Sequence, residues 1–193
     1  LHSRSLLILI ISLLPAMISA KEIEEIIVTA NFRDINLLDT ASSVTVIKAD
    51  SISQRQAKHL EQLLYLAPNV NFSSGASRGR FIQIRGIGER SQFIEPLNPS
   101  VGIIIDGIDF TGIAGAATTM DIDQVEILRG PQGTLFGANA LAGLINLKSK
   151  NPTEVSEGNM SVTLGNHNSR TLSGALGGSL SSAANYRLAI QNH

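Results

Sequence analysis

The chain has 193 residues, 43% of them hydrophobic and 16% charged, with 15 basic against 16 acidic side chains and a formal net charge of −1. That apolar content is enough for about one core-bearing domain plus a further segment and argues against disorder throughout, while the near balance of charge leaves no electrostatic footprint for nucleic acid. With no cysteine in the chain, stability has to come from packing or from enclosure by other structure rather than from disulfide staples.

In chain order, the first segment reads "LHSRSLLILIISLLPAMISA". A basic Arg4, an apolar run from Leu6 to Leu14, a breaker at Pro15 and small residues at Ser19 and Ala20 predict a secretory signal peptide over residues 1–20. The apolar run is well short of the ~20 residues that span a bilayer as a helix. Without this segment the charge becomes −2, because Arg4 leaves 14 basic against 16 acidic residues. Residues 21–42 are polar and linker-like except for a β-prone patch at Ile26, Ile27, Val28 and Thr29. No local pairing partner is expected for it. Two readings stand at this point: a strand offered to another protein's sheet edge, or the first strand of the following domain.

From Ser43 to Pro152 the pattern is that of a compact α+β domain, a small mixed sheet with short helices. "SSVTVIKAD" reads as a strand, and Leu60, Leu63, Leu64 and Ala67 recur at helical spacing until Pro68 stops them. "RFIQIRG" alternates Phe81, Gln83 and Arg85 with Ile82 and Ile84, whereas "VGIIIDGIDF" is apolar on both faces, as a covered central strand is. "DQVEILRG" and "GLINLKSK" complete four or five strands, with too few helices for a doubly wound fold. Asp106-Gly107 reads as a tight turn.

The glycine-rich turn after Arg129 invites comparison with phosphate loops. It lacks the Lys-Ser/Thr ending, and Pro131 removes a backbone donor. Gly86-Ile87-Gly88 has Ser91 where a dinucleotide fingerprint needs a third glycine. Asp106, Asp109, Asp121 and Asp123 have no dense oxygen-donor loop around them, and the scattered His59, His167 and His193 compose no nucleophile–base arrangement, so neither a metal, a cofactor nor an enzyme is expected.

After Pro152 the period changes to long strict alternation. Met160, Val162 and Leu164 oppose Ser161 and Thr163; Leu172, Leu176 and Leu180 oppose Thr171, Ser173 and Ser179; Tyr186, Leu188 and Ile190 oppose Arg187, Ala189 and Gln191. Three such strands in succession, over residues 153–193, carry the signature of a transmembrane β-barrel wall with one face to lipid and one to a wet lumen. A soluble β-meander is the other reading of this stretch.

Taken together, "EEIIVTA", "IQIRGIG", "VGIIIDGI" and above all "VEILRGPQGTLFGANALAGLINLKSKNP" resemble the N-terminal part of a TonB-dependent outer-membrane receptor, over nearly the whole chain. The resemblance implies a plug domain inside a barrel of about 22 strands, of which this chain carries only the first, and therefore a longer protein. It implies a TonB box at Glu25, Ile26, Ile27, Val28, Thr29 and Ala30, handed to the periplasmic energy-transducing protein TonB. It implies import of a scarce small molecule (iron–siderophore, cobalamin, haem or glycan class) across outer-membrane lipid by a monomer, with a soluble plug-like binding module as the alternative. Arg85 and Arg129, each ending a strand before a glycine, are then candidates for ion pairs with barrel carboxylates, because a charge enclosed by the barrel needs an opposite partner. Gly86, Gly107, Gly130, Gly133, Gly137 and Gly143 are expected to serve bends and close backbone approach. Loops 73–80 and 88–100 offer Arg78, Arg80, Arg90, Gln92 and Phe93 as candidate ligand contacts at the outer face.

Overall fold

The computed structural model describes residues 25–30, 34–74, 79–89, 99–113 and 117–192. The expected signal peptide and the candidate contacts Arg78, Arg90, Gln92 and Phe93 lie outside the described residues, as does the side chain of Arg80.

The central element is a five-stranded mixed sheet in the spatial order β3 (Ser43–Lys48), β9 (Ile122–Arg129), β10 (Gly143–Ser149), β7 (Val101–Ile105), β8 (Ile108–Asp109). All neighbours are antiparallel except β7 and β10, which run parallel. Register places Ile145 between Ile127 and Ile103. These three belong to a core that also holds Ile47, Ile52, Leu60, Leu63, Leu64, Ala67, Val70, Ile82 and Ile84. That core lies between one face of the sheet and a cover of α1 (Ala49–Gln54), α2 (Glu61–Leu64) and the hairpin β4 (Val70–Ser74) and β5 (Gly79–Ile84), with β6 (Ile87–Gly88) beside β5. The helix expected through Ala67 is α-helical for only four residues, and continues as tighter i→i+3 turns in which Leu66 and Ala67 donate to the carbonyls of Leu63 and Leu64. The pattern is kept all the same: Leu60, Leu63, Leu64 and Ala67 are all buried.

The opposite face of the sheet is covered differently. Val28, Ala30 and Leu37 from the N-terminal segment, with Phe136 and Ala140 from the short helical stretch after Gln132, pack on Val44, Val46, Leu128, Leu144 and Ile104. The expectation that Ile26–Thr29 has no local partner is corrected here: β1 (Ile27–Val28) pairs antiparallel with β2 (Ile35–Asn36), and the Leu37 amide donates to Ile26 O at 2.8 Å. The intervening residues lack the hydrophobic alternation that announces a hairpin, and the short ladder forms because Val28 on it is fully buried against the sheet.

Turn chemistry follows the residues. Asp106 (φ 49°) and Gly107 (φ 82°) are both left-handed, which is the mirror-image turn that suits the twist of a two-residue hairpin. Among the glycines singled out above, Gly86, Gly107, Gly130 and Gly137 have positive φ. Gly143 serves close approach, since a Cβ there would sit 2.4 Å from Leu128 O and 2.7 Å from Ile84 Cδ1, and Gly133 meets neither condition.

The last strands, β11 (Glu157–Leu164), β12 (Arg170–Ser181) and β13 (Ala184–Asn192), form a separate antiparallel sheet. Thr171, Ala175 and the side chain of Arg187 are buried toward the domain, while Leu172, Leu176, Leu188 and Ile190 are exposed on the other side. The expected dyad alternation is therefore polar and small inward, apolar outward.

Candidate functional site

Three groupings of polar residues stand out, at the N-terminal segment, at the arginine-bearing end of the sheet, and where the domain meets the last strands.

The first is built by β9 and β10. Their side chains alternate between the two faces, so Gln124, Glu126 and Asn146 share the face that the N-terminal segment covers, with Glu126 opposite both Val46 and Asn146. Glu126 is completely buried. A bare carboxylate there would be strongly disfavoured, but five neutral donors meet it. One oxygen accepts from the Thr29 amide at 2.7 Å, the Thr29 hydroxyl at 2.8 Å and the Gln124 side-chain amide at 2.6 Å. The other accepts from the Ala30 amide at 2.8 Å and the Asn146 side-chain amide at 3.2 Å. Gln124 also donates to Ile27 O at 3.0 Å. Two residues of the candidate TonB box are thus tied by their backbone to one carboxylate about 97 positions away. Val28 is buried, Ile27 is 40% exposed, and Glu25, also exposed, accepts from Asn36 Nδ2 at 2.5 Å. Glu25, Ile27 and Thr29 line a polar cleft with Asp34, Lys48, Asp50, Asp123 and Lys148. None of Gln124, Glu126 and Asn146 was singled out by the sequence reading. The available signal was a polar pair two positions apart on each strand, Gln124 with Glu126 and Asn146 with Lys148, alternating with apolar Val125, Ile127, Ile145 and Leu147.

The second grouping contains both candidate arginines. Arg85, left-handed at φ 55°, donates its amide to Asn69 O at 2.8 Å and lines a cleft with Asn69, Asn71 and Gly86. Arg129 ends β9 and reaches Pro68 O through Nη1 at 3.2 Å, while its Nε is buried without a hydrogen-bond partner. A Cβ on Gly130 would lie 3.9 Å from Arg85 Nη1, so the two guanidinium-bearing residues gather at one end of the sheet. Among the described residues neither is ion-paired.

The third grouping was not expected. Arg187 on β13 makes a two-pronged pair with Asp121, Nε to Oδ2 at 2.5 Å and Nη2 to Oδ1 at 2.6 Å, and its Nη1 donates to Glu157 at 2.5 Å. Nearby, Lys58 Nζ donates to Thr171 Oγ1 at 3.2 Å and Thr118 to Gln191 at 2.9 Å. The polarity is the reverse of the expected one, with the carboxylate on the domain and the guanidinium on the strand. Asp106 and Asp109, weighed above as metal ligands, are engaged locally: Asp106 accepts from the amide and hydroxyl of Ser149 at 2.8 and 2.7 Å, and Asp109 from Thr111 N at 2.8 Å and Asn139 Nδ2 at 3.1 Å.

Comparison with known proteins places the chain among others of the same fold. Residues 36–144, more than half of the chain, match the family model described as TonB-dependent Receptor Plug Domain. The chain is 32% identical over 148 residues to the vitamin B12 transporter BtuB of Vibrio vulnificus (strain CMCP6) and 30% identical over 152 residues to the pesticin receptor of Yersinia pestis. These alignments cover 74% and 76% of this chain but 23% and 22% of the relatives, so the chain spans about a quarter of their length. Among solved structures it superposes on the ferric yersiniabactin uptake receptor FyuA of Yersinia pestis with a TM-score of 0.69 at 25% identity, over 78% of this chain and 24% of that one. It superposes on the ferric-catecholate import receptor Fiu of E. coli K12 with a TM-score of 0.66 at 28% identity, over 81% and 22%.

Proposed function

Because the chain belongs to the TonB-dependent receptor plug family, we propose that it is the plug and first wall strands of an outer-membrane receptor that imports a scarce small molecule. The ligand belongs to the metal-chelate or corrinoid class that the relatives' names indicate. The observation that carries the reading is the N-terminal segment: Ile27–Val28 is a two-residue strand at the polar end of the sheet, held by side-chain acceptors and a short ladder rather than woven into the main sheet. A segment so held is free to be exchanged to another protein's sheet edge, where its backbone groups give affinity and alternate side chains give selectivity. Ligand arriving at the opposite face shifts the population toward the exposed segment by binding that state more tightly. TonB then takes Glu25–Ala30 and draws the plug aside.

Two further features agree with this reading. The exposed leucine and isoleucine row on β12 and β13 suits lipid, whereas a soluble module would leave that continuous apolar face in water. At the other end, the unpartnered Arg129 Nε beside Arg85 is suited to carboxylates of the enclosing barrel wall.

The test is Ile27→Pro in the receptor. Proline removes a ladder donor and restricts the preceding residue, so energised uptake of labelled ligand is lost while ligand binding to outer-membrane vesicles is unchanged. Uptake at the parent rate would refute the assignment of residues 25–30.

A further inference from the structure

Beyond the assignment of the segment itself, and resting on it, we infer that Glu126 is the positioning residue that sets how tightly residues 27–30 are held before release. Three observations carry this. Glu126 is fully buried although it lies on the sheet face that the segment covers. Its two oxygens divide the work: one meets Thr29 N and Oγ1, the other Ala30 N, so each of two consecutive backbone amides has its own acceptor. Finally, Gln124 and Asn146 flank the carboxylate and orient it from the β9 and β10 sides, and Gln124 adds a grip on Ile27 O. Hydrogen bonds to an ionised acceptor are about twice as strong as neutral ones. The ladder to β2, by contrast, has only two residue pairs. The carboxylate is therefore the stronger of the two polar grips, and with it disengaged only the short ladder and the apolar contacts of Val28 and Ala30 hold the segment.

The geometry also distinguishes glutamate from its nearest substitutes. An amide at this position keeps the volume but turns one of the two acceptors into a donor facing a backbone N–H, and the shorter aspartate withdraws both oxygens from the amides.

The experiment uses the receptor in outer-membrane vesicles without ligand, carrying a nitroxide on Ile27→Cys, with a second label on Tyr65→Cys as a fold control. Tyr65 caps α2 and is 77% exposed. With Glu126 present, the label at 27 is immobilised. In Glu126→Gln the ratio of mobile to immobile label at 27 rises about tenfold or more, the loss of one charge-assisted bond; Glu126→Asp falls between, and the label at 65 does not change. An unchanged spectrum at 27 in Glu126→Gln overturns the inference. Should that variant mobilise both labels, Thr29→Ala decides, because it removes the hydroxyl donor to Glu126 from the segment's side and leaves β9 and β10 unchanged: mobilisation at 27 with 65 immobile supports the inference, and any other outcome overturns it. Neither transport nor TonB enters this measurement, so its failure would leave the uptake test of residues 25–30 untouched, and the converse holds.

Discussion

Substituting Asp121 by Asn isolates the charge that joins the plug to its wall. Asp121 is left-handed at φ 57°, a conformation asparagine tolerates as well as aspartate, so the substitution adds no backbone strain. Its carbonyl continues to accept from Lys150 N at 3.0 Å. What is lost is the two-pronged pair with Arg187, whose side chains are 9% and 10% exposed. Removing one partner of a buried pair costs about 3–5 kcal/mol; here Glu157 still meets Arg187 and asparagine keeps one acceptor, which brings the expected cost to about 2–3 kcal/mol. Glu157→Gln, at a site 50% exposed, should cost less than about 1 kcal/mol. The assay is hydrogen exchange of the Lys150 amide in the receptor, which reports local opening. Exchange should speed up about 30- to 160-fold in Asp121→Asn and no more than about fivefold in Glu157→Gln. The mutant cycle with Arg187→Met should then show that most of the Asp121 effect depends on Arg187. Equal, small effects of the two acidic substitutions, or a coupling below about 0.5 kcal/mol, would refute the reasoning.

Two further outcomes follow from the remaining charges. Arg129→Ala removes the guanidinium that reaches Pro68 O and is expected to loosen the plug, raising passive entry of a hydrophilic dye too large for ordinary porins by about tenfold; unchanged leak together with unchanged uptake would count against a pairing role. Burial disfavours ionisation of Asp109, but the hydroxyl and amide of Thr111 and the amide of Asn139 together outweigh it, holding the carboxyl below its ordinary 3.8. The stabilisation this brings is present above the unfolded value and is lost as pH falls through the folded one, so Asp109→Asn should flatten the acid limb of the stability curve below about pH 4, measured by hydrogen exchange of the Ile103 amide that Thr111 Oγ1 holds at 2.9 Å.

Much of the plug was legible because its pattern is local. Alternation announced β5, an uninterrupted apolar run announced β7, and Leu60, Leu63, Leu64 and Ala67 announced a helical turn even where the helix proved short. The latch was not legible for a physical reason. A polar residue at every second position of a strand ordinarily means a solvated face, and nothing near Gln124, Glu126 or Asn146 says that a segment about 97 positions earlier covers that face. The Asp121–Arg187 pair escaped for a similar reason: its members are 66 positions apart, and a carboxylate after a turn looks the same whether it faces water or a guanidinium. Arg85 and Arg129 were legible each as an arginine ending a strand before a glycine, but their convergence at one end of the sheet was not, because it depends on how the β4–β5 hairpin packs beside β9.

The latch has a consequence for how such a segment can diverge. Glu126 addresses Thr29 and Ala30 chiefly through their amides, atoms that every residue except proline possesses, and leaves the side chain of Ile27 outward. On the proposed reading the hold rests on backbone amides and the inward side chains of Val28 and Ala30, and recognition on the outward side chains of the same few residues. Substitutions that retune recognition by a partner can accumulate at the outward positions without altering the hold.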